Sequence, residues 1–290
     1  MPQAYWPILI VDDEPDVLQL TALAMKNFTV YGLPLKLYMA ASKADAIALI
    51  NTKLTRGWQA MPYLAVAFID VVMENDQAGL ELCQHIRETM GNKVSQLYIR
   101  TGQPGIAPER EVIDLYDING YFTKQEATED KLYSLVKSGV RQFLTLRDSL
   151  GLSMAINMVS TMSHSRQMMN QFLRLMIKAG ELDAEGETLE GLEWANYTFL
   201  GDDGFGYGMD ETAAMAMRDK LDQMNGISLN VDGDKYVIDE EHNTMLKIVG
   251  GPHRTPITVV SRASMTTPET NIRINHSFLS MFATLYARAD

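Results

Sequence analysis

The chain predicts a doubly wound α/β domain on a five-stranded parallel sheet, then a connecting helix, then an α+β domain with an antiparallel sheet. Three observations carry this expectation. Through the first half, short apolar runs alternate with amphipathic stretches, the pattern of βα units. Each apolar run ends on a polar residue, as buried parallel strands do where their carboxyl ends converge. In the second half the alternation stops, and a heptad-spaced stretch gives way to short runs broken by Gly and Asp turns.

The five predicted strands are Ile8–Asp12, Lys36–Ala40, Leu64–Asp70, Gln96–Thr101 and Gly120–Thr123. Between and after them fall predicted helices at Asp16–Phe28, Lys43–Thr55, Gly79–Met90, Ala107–Tyr116 and Asp130–Arg147. Pro15 suits the first turn of its helix. Ser42 is placed to cap the next, whose Ala46, Ile47, Leu49 and Ile50 share one face. This block is read as a domain over 1–147.

Beyond Arg147, Leu152, Ala155, Val159, Met162, Met169, Leu173 and Met176 recur at heptad spacing, interrupted at Arg166. A nearly continuous connecting helix over 148–180 is expected, as a seam for a homodimer. The alternative is an amphipathic helix packed on its own domain. The stretch Leu182–Asp210 reads as loop, with Trp194–Leu200 as a strand candidate within it. Glu211–Met224 is helical, stopped by Asn225-Gly226. Strands follow at Ile227–Val231, Lys235–Ile238, Met245–Val249 and Ile257–Ser261, and a last helix at Pro268–Arg288 closes an α+β domain over 181–290.

Composition narrows the function classes. Asp and Glu number 37 against 25 Lys and Arg, a net charge of -12. Nucleic acid and anionic membranes both demand surplus cations, so neither is an expected partner. The single cysteine, Cys83, allows no internal disulfide and no Cys-based metal cluster. It is read as a small buried residue rather than a reactive thiol. No basic leader and no apolar run near about 20 residues occurs, which predicts a cytoplasmic protein.

The strand ends carry the chemistry: Asp12 and Asp13 after ILIV, Asp70 after AVAFI, Thr101 after LYIR, and Tyr121 and Lys124 in GYFTK. Three carboxylates at one edge suit a hard divalent cation, and an ammonium with a hydroxyl suits a phosphoryl group. Singly, such residues are usually helix caps or solvated turns; their joint placement points to a site.

These five pieces, in this order, resemble the receiver domain of two-component response regulators, a flavodoxin-like fold. The resemblance implies that Asp70 accepts a phosphoryl group from a partner sensor histidine kinase. It also implies a Mg²⁺ site of Asp12, Asp13, Asp70 and the backbone carbonyl of Val72, with Asp13 binding directly and Asp12 partly through water. Lys124 would neutralise a phosphoryl oxygen, Thr101 would move to bond another, and Tyr121 would then turn inward. Three departures stand out: Gln125 replaces the proline common after the lysine, Met73–Gln77 is acidic, and Val72 gives an attacking water little guidance, though Gln103 is near in sequence.

The stretches VVMENDQAGLEL and RTGQPGIAPEREVI are similar to receivers that precede an HD-GYP phosphodiesterase. MMNQFLRLMIKAGELD, the predicted meander and INHSFLSMFATLYA resemble the GAF-like domain of such proteins, here without the HD-GYP output domain. Met162-Ser163-His164 imitates a kinase phosphoacceptor box and Asp202-x-Gly204-x-Gly206 a kinase glycine box, but their spacing is too short for a kinase. Gly204-Phe205-Gly206-Tyr207 echoes a DG-x-GYP segment without its His-Asp dyad. His242, His253 and His276 lack metal-ligand spacing. With no basic helix-turn-helix, GGDEF or EAL signature, the chain is expected to be no enzyme. It is read as a response regulator that changes dimer geometry and partner docking on phosphorylation. The alternative is a phosphorelay intermediate or phosphate sink.

Overall fold

The computed structural model describes residues 5–56, 61–102, 109–179, 195–262 and 267–289. It divides into two compact units, one centred on Tyr5–Leu146 and the other on the chain from Arg147 onward.

The first unit runs β1 (Trp6–Val11), α1 (Pro15–Met25), β2 (Thr29–Val30), β3 (Leu33–Ala40), α2 (Lys43–Lys53), the short pair β4 (Thr55–Arg56) and β5 (Met61–Pro62), β6 (Val66–Asp70), α3 (Ala78–Gln84), β7 (Gln96–Thr101), α4 (Glu109–Tyr116) and β8 (Gly120–Thr123). A π turn at His85–Thr89 prolongs α3. The helix α5 (Glu129–Met162) begins here. The sheet order is β2-β3-β1-β6-β7-β8. The five longer strands are mutually parallel, and β2 adds a two-residue antiparallel edge to β3. Strand order reverses between β1 and β6, the switch point where such sheets place ligands. This is the flavodoxin-like doubly wound topology. Its β1 and β7 are buried at every position, because helices cover both faces.

Local chemistry sets the elements. Ser42 Oγ accepts the Asp45 backbone N–H at 3.1 Å and caps α2, and Pro15 opens α1. Gly79 allows α3 to press on the end of β6, since a Cβ there would lie 1.8 Å from the Asp70 carbonyl oxygen. Where Gln125 replaces proline, Lys124–Glu126 turns as a 3₁₀ helix under a reciprocal Thr123–Glu126 capping box.

The second unit holds the end of α5, then α6 (Arg166–Ala179), β9 (Ala195–Leu200), β10 (Asp203–Tyr207), α7 (Glu211–Asp222), β11 (Ile227–Ser228), β12 (Lys235–Ile238), β13 (Asn243–Ile248), β14 (Ile257–Arg262) and α8 (Glu269–Tyr286). Its sheet, in the order β10-β9-β14-β13-β12-β11, is antiparallel throughout. Alternate residues of β9 serve two cores. Leu200 packs in one with residues of α5, α6 and α8, while Tyr197 packs in the other with Ala214 and Leu221 of α7.

One expectation is corrected here. Part of the stretch expected as loop forms β10, paired with β9 as a hairpin. Its glycines make room for the Tyr197 side chain: a Cβ on Gly204 would meet its hydroxyl, and one on Gly206 its ring, at 2.5 Å. Residues 180–194 of that stretch lie outside the described residues. Of the heptad positions, four pack within their own unit, as the alternative of an amphipathic helix on its own domain has it. Ala155, Val159, Met169 and Leu173 are at most 2% exposed, buried against Leu200, Ile257 and Phe282 of their own unit. The apolar period belongs to a helical pair packed on a sheet, and the helix breaks at Ser163–Ser165.

Candidate functional site

At the switch point, Asp12 directly follows β1 and Asp70 ends β6, with Val11 beside Ile69 in the parallel register. Both carboxylates are buried, Asp12 completely. The chain after β8 brings Lys124 between them. Its Nζ lies 2.8 Å from Asp70 Oδ2, 3.1 Å from Asp12 Oδ2 and 2.7 Å from Glu14 Oε1. One carboxylate oxygen each from Asp12, Glu14 and Asp70 falls within 4.8 Å of the others.

The other expected residues are distributed around this trio. Thr101 is buried at the end of β7, two strands from β1. Tyr121 is half-buried on β8 against the first unit's core, and Val72 is half-buried in the β6–α3 connection. Asp13 is exposed and is not one of the three clustered acids; Glu14, one residue on, occupies that place. Gln103 lies outside the described residues. Two residues unflagged in the sequence belong here. Glu14 was legible as a third acid in VDDEP. Arg100 is buried beside Asp12, its Nη2 donating to Asp12 Oδ2 at 2.9 Å.

Electrostatics follow from this crowding. Burial pushes the Asp70 carboxyl up from its ordinary value, reinforced by the nearby charge of Asp12 and opposed by Lys124 and the Val71 N–H. Burial would lower Lys124, but hydrogen bonds to Asp70, Glu14 and Asp12 outweigh it and hold the ammonium well above the usual lysine range. Glu14 is lowered by its hydrogen bond to Lys124. Three hard oxygen donors converging on one point fit a divalent cation, which would compete with Lys124 for the same oxygens.

The imitations found in the sequence have structural explanations. His164 is exposed in the turn between α5 and α6. Cys83 is fully buried and its thiol is pushed up to about 12 by burial, which leaves it unreactive. His276 Nε2 lies 2.8 Å from Asp234 Oδ2, in a cluster within the second unit. Among the described residues no helix is long and apolar enough to cross a membrane.

No family model matches the chain. A curated relative, 3'3'-cGAMP-specific phosphodiesterase 2 of Vibrio cholerae serotype O1, is 35% identical over 185 residues, 60% of this chain and 34% of the relative. The chain thus spans about a third of the length of the curated relative it matches. Among solved structures, the signal receiver domain of an HD domain-containing protein from Pseudomonas fluorescens Pf-5 is similar to 48% of the chain. It is covered to 98%, at 16% identity and a TM-score of 0.39. A structure titled as adenylate cyclase from Rhodopirellula baltica is similar to 51% of the chain and covered to 97%, at 17% identity and a TM-score of 0.42.

The phosphodiesterase corrects one expectation. The reading of this chain as no enzyme rested on missing output motifs, whereas a 35% identical relative is by name an enzyme. An enzyme can carry its catalytic motif outside a stretch that makes up a third of it, so the missing motifs do not exclude enzymatic output.

Proposed function

We propose that the first unit is a response-regulator receiver in which Asp70 accepts a phosphoryl group from the phosphohistidine of a sensor histidine kinase. The P–N bond breaks as an Asp70 carboxylate oxygen bonds phosphorus, and the histidine nitrogen leaves with the electron pair. The single observation carrying this reading is the meeting of Asp12, Asp70 and Lys124 at the switch point of a flavodoxin-like sheet.

Each residue has a task. Asp12 and Asp70 would hold Mg²⁺ with the clustered Glu14 and with Asp13 and the Val72 carbonyl that the receiver resemblance implies; the ion, when bound, would screen the incoming phosphoryl charge from the acids. Lys124 takes up charge on a phosphoryl oxygen. Thr101 closes on another, and Tyr121 follows it inward as the switch. By likeness to the phosphodiesterase, the output under this control is hydrolysis of a cyclic dinucleotide. The proposed homodimer draws on surface beyond the four buried heptad positions.

The test uses acetyl phosphate with Mg²⁺. Intact mass should show one added phosphoryl group on the wild type and none on Asp70→Asn. The same gain on the variant would refute the assignment.

A further inference from the structure

Arg100 is among the largest fully buried side chains, 2% exposed, one residue before Thr101 in β7. An arginine is costly to bury unless paired. Its Nη2 donates to the wholly buried Asp12 at 2.9 Å, and its Nη1 donates to Thr21 Oγ1 of α1 at 2.6 Å. Thr21 in turn donates to the Val17 carbonyl at 2.7 Å, so its oxygen is held ready for the guanidinium. Arg100 Nε is buried without a hydrogen-bond partner. The same charge reaches Glu14, where it adds to the larger effect of Lys124. The three clustered acids thus face two cations, Lys124 in contact with all three and Arg100 against Asp12.

We infer that Arg100 is a resident counter-ion that sets how tightly the acid pocket holds a divalent cation. The inference rests on the metal-pocket reading above. Asp12 is already paired with Arg100 and Lys124, and only the Lys124 ammonium sits where an entering ion could displace it. Arg100 is anchored from α1 through Thr21 and stays. A dication therefore meets three carboxylates of which one is permanently compensated, and it binds weakly on its own. An arriving phosphoryl group adds negative charge, so ion and phosphoryl group reinforce each other's binding. Arg100 acts through Asp12 as a positioning residue. A lysine there would keep the charge but lose the two-point fork onto Asp12 and Thr21.

The test is a Mn²⁺ titration of the full chain, followed by the paramagnetic resonance of free Mn²⁺ and without a phosphoryl donor. Arg100→Gln removes the charge and retains a donor for Asp12. It should bind Mn²⁺ at least about tenfold more tightly, as expected when a unit positive charge near a dication is removed. Arg100→Lys should stay within about threefold of the wild type, since it keeps the charge. Unchanged or weaker binding by a folded Arg100→Gln would overturn the inference. If that variant still gained a phosphoryl group on Asp70, the receiver reading would survive. Absence of both Mn²⁺ binding and phosphoryl uptake in the wild type would overturn both. Should Arg100→Gln fail to fold, the wild type decides by the side-chain amide spectrum: the buried Arg100 Nε–H resonance must move on adding Mg²⁺, and a stationary one overturns the inference.

Discussion

Each unit buries one aspartate among cations, and the two are set up in opposite ways. In the second unit Asp234 is wholly buried, yet five contacts from four groups satisfy it. Arg254 donates to both its oxygens, at 3.0 and 2.5 Å, and the Val249 N–H, Asn230 Nδ2 and His276 Nε2 each lie at 2.8 Å. Burial would raise its pKa, but those bonds outweigh burial and the carboxyl is held below its ordinary value. Arg254 also donates to Ser280, so the cluster ties the β11–β12 turn and the Gly251–Arg254 bend to α8. In the first unit Asp70 has the Val71 N–H and Lys124, each at 2.8 Å, with a second buried acid nearby, and its pKa is raised. A fully satisfied buried acid fastens a fold. An under-satisfied one calls for another cation or for the loss of its charge, as a phosphoacceptor and metal ligand should.

Breaking the two acids should therefore do different things. The larger effect belongs to Asp234→Ala, which leaves Arg254 half-buried and unpaired and should cost the second unit about 3 kcal/mol. Urea unfolding would measure it, and phosphoryl uptake on Asp70 should be unchanged; a loss of uptake would mean the clusters are not separate in role. The pH dependence has the matching sign. The folded-state pKa of Asp234 is lowered, so its stabilisation is present above the ordinary carboxylate range and is lost as pH falls through the folded value.

Asp70 should show the smaller and opposite effect. Its folded-state pKa is raised, so its charge opposes folding at neutral pH, and that opposition disappears as acid protonates the group in both states. Asp70→Asn should stabilise the first unit at pH 7 and leave it unchanged below the carboxylate range, as urea unfolding at the two pH values would show. A destabilised Asp70→Asn at neutral pH would erase the contrast between the two acids.

How much of this could be read in advance depends on how local each signal is. The parallel strands were legible because an apolar run ending on a polar residue is a local pattern, and Asp12, Asp70, Thr101 and Lys124 each stood at such an end. Arg100 was not, because an arginine inside YIRT resembles a solvated residue until Asp12 and Thr21 are seen around it. The turn after β1 decides which neighbouring acid reaches Lys124, so the exposed Glu14 rather than Asp13 joins the cluster. DGFGY has little intrinsic strand preference, and β10 exists because Tyr197 covers its glycines. Heptad spacing identifies an apolar face but not its cover, which is why the seam served a dimer and a self-packed helix equally well. No output motif was recognised in the sequence, and the enzymatic reading enters only through likeness to the phosphodiesterase.

The central claim is that Asp70 carries the phosphoryl group. Borohydride reduces an acyl phosphate to the alcohol, so an aspartyl phosphate becomes homoserine at its own position. After phosphorylation in Mg²⁺ and reduction, peptide mapping should find homoserine at position 70 and unaltered Asp12, Asp13 and Glu14. Homoserine at position 12 or 13, a reduced Glu14, or no reduced residue despite a gain of phosphoryl mass, would contradict it.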